Sequence, residues 1–232
     1  MSLGHRVLVA GAGGALGSAV MQALLASAGI ERVGALASRP MGAALHSFAA
    51  VSDDDASIVR FDARTAVVVF DRARHAQGRE DAFVRPEPAG LPALAARLLT
   101  AGASTLLVVV PHAPSLLPMA LQQGLASLDE AAVAALGFDH LVFMRMAQAT
   151  GDDRSALGAP RRLARWMLSQ LHWMIPQREQ PVRAETDAAV TAALTRRLPD
   201  AAAGTRVLPA AVLWQAAQRR DADAVVAQWL TG

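Results

Sequence analysis

The sequence predicts an α/β fold, a doubly wound parallel sheet with a small C-terminal helical region. Three observations carry this expectation. Short apolar runs alternate with helical periodicity along most of the 232 residues. The runs "VVVF" and "TLLVVV" are continuous rather than alternating, as suits strands covered by helices on both faces. A glycine-dense turn, "GAGGALG", joins the first apolar run to the first helix. Alternation of this kind closes a parallel sheet through right-handed crossovers.

Taken in order, strands are expected at Arg6–Ala10, Arg32–Ala37, Ala66–Phe70, Thr105–Val110 and Leu141–Met144, with weaker candidates at Phe48–Val51 and Arg206–Leu208. Helices are expected at Ala15–Ala28, Leu91–Ala101, Pro118–Leu136, Arg161–Leu171, Ala184–Arg197 and Ala210–Arg219. After Arg145 the stretch "GDDRSALGAPRR" reads as a polar loop. Residues 1–232 are therefore read as one domain, of which 145–232 contribute the small C-terminal region. No internal repeat is seen.

Composition narrows the function classes. Apolar residues make up 53% and charged residues 18%, which favours a packed core over disorder. Cysteine is absent, which removes disulfides, thiolate metal sites and a cysteine nucleophile. All 22 basic residues are arginine, and tyrosine is absent too. The pI of 10.7 thus reflects missing buffering groups at a net charge of +2, not a nucleic-acid footprint. No apolar segment precedes the strand at Val7, so no signal peptide is expected. The uncharged run Leu98–Leu128 is broken by Gly102, Pro111, Pro114, Pro118 and Gly124 into pieces shorter than the ~20 residues a spanning helix needs. No membrane partner is expected, and the expected location is cytoplasmic.

Gly11, Gly13, Gly14 and Gly17 fit both G-x-G-x-x-x-G and G-x-x-G-x-x-G. Glycine lets the chain turn sharply and approach a pyrophosphate, while the helix opening near Ala15 offers free N–H groups and its positive dipole end. The pattern is that of a Rossmann-type dinucleotide site, with Ala15 and Leu16 in the cradle. At the end of the second strand an NAD site usually places a carboxylate for the ribose hydroxyls. Here "ASRPMG" supplies Ser38 and Arg39 instead, and arginine offers a charge-assisted clamp for a 2′-phosphate. NADP is the expected cofactor, with NAD the alternative. Val110, ending the fifth strand, completes the candidate cofactor-binding set.

On these motifs the chain resembles the atypical short-chain dehydrogenases, in their NmrA-like and Tat-interacting-protein-like branch. The resemblance spans nearly the whole chain: "VLVAGAGGALG", "SRP", "EDAFVRPEP", "EAAVAALGFDHLVFMR", "PVRAETDAAVTAAL" and "TRVLPAAVL". It implies an NAD(P)-binding oxidoreductase. Active members resemble one another in a Ser–Tyr–Lys set, in which tyrosine donates a proton and lysine lowers its pKa. Anchored on "LGFDHL", the serine position holds Val110, the tyrosine position Gln122 and the lysine position Ala126. Because no tyrosine or lysine occurs in the chain, the usual Tyr-x-x-x-Lys chemistry is excluded without alignment.

Two readings then stand beside a non-reductase Rossmann protein. One is an oxidoreductase or isomerase with a rearranged site, using His112 as its acid–base group on a small molecule. The other is a redox sensor whose nucleotide occupancy alters contact with a protein partner. His5, His46, His75, His140 and His172 show no metal-ligand spacing. "DDD" at Asp53–Asp55 reads as a turn or helix-capping run. Trp166, Met167, Leu171, Trp173 and Met174 suit a core, a substrate pocket or a homodimer face.

Overall fold

The computed structural model describes residues 5–39, 41, 47–71, 79–112, 128–147 and 184–232. Strands β1 (His5–Ala10), β2 (Ile30–Ala37), β3 (Phe48–Ser52), β4 (Thr65–Val69), β5 (Thr105–His112), β6 (His140–Ala147) and β7 (Gly204–Leu208) form one sheet. Their order is β3-β2-β1-β4-β5-β6-β7, and every neighbouring pair is parallel. The order reverses between β1 and β4, the place where open α/β sheets leave a crevice at their carboxyl edge.

Alternation along the strands builds two cores. Val7, Val9, Val67, Val69, Leu107, Val109, Val142 and Met144 face one side. There they meet α1 (Ala15–Leu25), α5 (Ala184–Arg197), α6 (Ala210–Arg219) and α7 (Ala222–Thr231). Leu8, Ala66, Val68, Leu106, Val108, Leu141 and Phe143 face the other, under α2 (Asp55–Phe61), α3 (Leu91–Thr100) and α4 (Leu128–Ala134). Burial on both faces explains the unbroken apolar runs in the sequence.

All seven expected strands are present, and the expected bounds of α5 and α6 coincide with those observed. β5 runs two residues further than expected, through Pro111 and His112, because both still register against Met146 and Ala147. Two helices were not expected. α2 is only seven residues long, capped by Asp54, whose Oδ1 accepts from Ser57 N at 2.8 Å. α7 is capped by Asp221, which accepts from Ala224 N at 2.9 Å. Of the long helix expected at Pro118–Leu136, Leu128–Ala134 is helical and the residues before it lie outside those described. The helix expected at Arg161–Leu171 lies wholly outside them. Among the described residues no helix is long and apolar enough to cross a membrane.

Candidate functional site

β1 delivers the chain to Gly11, whose φ of +93° is a left-handed conformation that favours glycine. A side chain there would press on the Val69 backbone and come within 3.3 Å of Pro86 Cδ. Gly14 occupies the N-cap of α1 in an extended conformation and has no side chain with which to cap it. The cap comes instead from Asp71, two residues beyond β4. Its Oδ2 accepts the Leu16 N–H at 2.7 Å, across a separation of 55 residues. A Cβ on Gly14 would fall 2.6 Å from Asp71 Cγ. A Cβ on Gly17 would strike the Gly11 carbonyl and lie 2.9 Å from Ala12 Cα, so this glycine lets α1 sit tightly on the turn.

The wall of the crevice is the segment 79–87. Val84 N donates to Leu36 O at 2.9 Å and Gly11 N to Val84 O at 3.2 Å, while Phe83 bridges Ala37. Ser38 donates twice to Ala82 O, from its N–H at 2.7 Å and from its hydroxyl at 3.1 Å. Arg39 follows it, exposed, beyond the carboxyl end of β2. The cleft so formed is lined by Gly11, Gly13, Gly14, Val69, Asp71, Arg85 and Pro86, with a free volume of about 20 Å³. That is room for one or two waters. Arg85 also pairs with Asp81 at 3.1 Å on the surface.

The structure places the glycine turn between β1 and α1, at the switch point of the sheet, with Gly11, Gly13, Gly14, Ala15, Leu16 and Gly17 together. The sequence reading missed Asp71 and Arg85. The available signal was an aspartate directly after an apolar strand at the carboxyl edge.

Val110 is half-buried near the carboxyl end of β5, in register with Arg145. His112 ends the same strand opposite Ala147 rather than standing in the loop beyond it. Arg145 is buried and pairs with Glu130 on α4 at 2.9 Å. Gln122, Ala126 and the group Trp166, Met167, Leu171, Trp173 and Met174 lie outside the described residues. Asp53 and Asp55 both pair with Arg97, at 3.0 and 2.8 Å, and Asp54 caps α2, so "DDD" is structural.

Asp187, in the first turn of α5, is a further carboxyl the sequence did not single out. It is buried, its Oδ1 has no hydrogen-bond partner among the described residues, and burial pushes its pKa up to about 7. No cluster of histidine, aspartate and glutamate suited to a metal occurs among the described residues.

No family model matches the sequence, and no curated protein matches it. Solved structures do resemble the fold. An oxidoreductase of the short-chain dehydrogenase/reductase family from Burkholderia thailandensis is 18% identical with a TM-score of 0.50, over 99% of this chain and 98% of that one. A Rossmann-fold NAD(P)-binding family protein from Shigella flexneri is 16% identical with a TM-score of 0.50, over 87% and 90%. The UDP-Glc/GlcNAc 4-epimerase from Campylobacter jejuni is 10% identical with a TM-score of 0.51, over 94% and 84%. The fold is Rossmann-type. At these identities the likeness speaks for architecture, and the chemistry has to be argued from the site.

Proposed function

We propose that this chain binds a nicotinamide dinucleotide at the glycine turn, NADP(H) in preference to NAD(H), as an atypical short-chain dehydrogenase type without Tyr-x-x-x-Lys reductase chemistry. One observation carries the reading. The first turn of α1, at the switch point of the sheet, already bonds an anion, the Asp71 carboxylate on Leu16 N. The main chain of Gly13, Gly14, Ala15, Leu16 and Gly17 is the cradle for a pyrophosphate, and Arg39 is the partner for a 2′-phosphate. Ser38, committed to Ala82, adds shape rather than a free donor. When bound, a nicotinamide supplies hydride chemistry. The residues of this chain at the expected catalytic positions, Val110, Gln122 and Ala126, move no proton.

A second reading keeps His112 as the acid–base group of a rearranged site, favoured by its place at the carboxyl edge on the strand next to β4. Calorimetric titration with NADP(H) and NAD(H), followed by NADPH oxidation over aldehydes, ketones and quinones, tests both. The expected result is tighter binding of NADP(H) and no turnover above background. Equal affinities overturn the NADP preference. Turnover at an ordinary enzymatic rate that His112→Ala abolishes installs the second reading.

A further inference from the structure

The geometry points to Asp71 as a tethered anion that holds the phosphate position of the glycine turn, so that a dinucleotide binds only by displacing it. The inference rests on the proposed reading of that turn. Its physical basis is a competition for the same donors. The first amides of a helix are unpartnered and favour negative charge, and here one of them is taken by a carboxylate at 2.7 Å. The glycine at position 14 leaves open the volume that a phosphate needs. Asp71 fills it, with its Cγ only 2.6 Å from where a Gly14 Cβ would stand. The remaining free space, about 20 Å³, is far below the 300 Å³ or so at which ligand pockets begin.

Asp71 is well suited to leave. It is exposed, and among the described residues its carboxylate bonds only Leu16 N. Arg85 lines the same cleft and offers a guanidinium to the carboxylate or to an incoming phosphate. A group tethered to the chain competes at high effective concentration. The apparent affinity for any rival anion then falls by the fraction of time the site stands open. The pyrophosphate also brings like charge towards the carboxylate, so withdrawal has to be outward and not merely a rotation in place.

The test compares the wild type with Asp71→Asn and Asp71→Ala, using NADP(H) and inorganic pyrophosphate as separate probes. Titration calorimetry reads affinity, and circular dichroism confirms that each variant is folded. Asp71→Ala is expected to tighten both probes by about ten- to a hundredfold. Asp71→Asn, which keeps an acceptor oxygen but loses the charge, is expected to lie between. Equal binding of both probes by all three proteins overturns the inference and leaves the dinucleotide reading standing. Pyrophosphate tightened by Asp71→Ala while NADP(H) binds to none upholds the inference and overturns that reading. Binding of neither probe to any folded protein overturns both.

Discussion

Arg196 on α5 and Asp223 on α7 are joined at 2.6 Å, and the other terminal nitrogen of Arg196 donates to Ser27, just beyond α1, at 2.8 Å. One guanidinium thus ties together three helices of the same layer. The Arg196 hydrogen bond holds the Asp223 carboxyl below its usual range of about 3.8. The pair is half open to solvent, so its worth is modest.

Asp223→Asn is expected to lower unfolding stability by about 0.5–1 kcal/mol at neutral pH. The sign with pH follows from the depressed pKa. The contribution is present above the unfolded carboxylate pKa and fades as pH falls through the folded value. Urea midpoints of the two proteins should therefore converge in strong acid. A gap that persists there would show that the asparagine disturbs packing instead.

Gly17→Ala and Gly14→Ala should differ sharply. The new methyl at 17 meets backbone of Gly11 and Ala12, which cannot give way, and overpacking of that kind costs roughly 1–3 kcal/mol. The methyl at 14 meets only the exposed Asp71 side chain, so the cost is the lost cap, about 1 kcal/mol. Denaturant midpoints rank the two. In an Asp71→Ala background, Gly14→Val should abolish pyrophosphate binding without unfolding the chain.

Arg39→Asp should weaken NADP(H) by about ten- to a hundredfold and spare or improve NAD(H), the range expected for loss of a charged hydrogen bond. Parallel titrations read the ratio. An unchanged ratio would assign the 2′-phosphate to another residue, with Arg85 the first to examine.

Burial raises the Asp187 pKa to about 7 from 3.8, so the folded protein holds a proton there that the unfolded chain releases in mild acid. Stability from this group is full below about pH 4 and is lost as pH rises through about 7. Three units correspond to roughly 4 kcal/mol at most. The wild type should lose stability relative to Asp187→Asn between mild acid and pH 8 or so, read as the change in the difference of urea midpoints. A difference that stays flat would mean that the carboxyl finds a partner.

Periodicity made the sheet legible. "VVVF" and "TLLVVV" announce doubly covered strands because every residue of β4, and of β5 up to Val109, is buried, leaving no polar face to break the run. Pro111 misled at the end of β5, since a proline reads as a stop, whereas β4 pairs only as far as Val109 and Pro111 has β6 alone beside it, in register with Met146. α2 was missed because seven residues give fewer than two helical repeats. At the site, the glycine spacing was local and could be read directly. The bond from Leu16 to Asp71 could not, because it joins the first turn of α1 to a residue 55 positions on, just past β4, that only the pairing of β1 with β4 brings near.

The clasp of Arg196 on Ser27 closes a span of 169 residues. On the ribosome, α1 is made early, but Leu16, Val20 and Leu24 share their core with Ala188, Ala192 and Val226, which are made near the end. At ordinary elongation speeds the gap is on the order of ten to thirty seconds. For that interval the face of the nascent sheet that α5, α6 and α7 will close has only α1 to cover it.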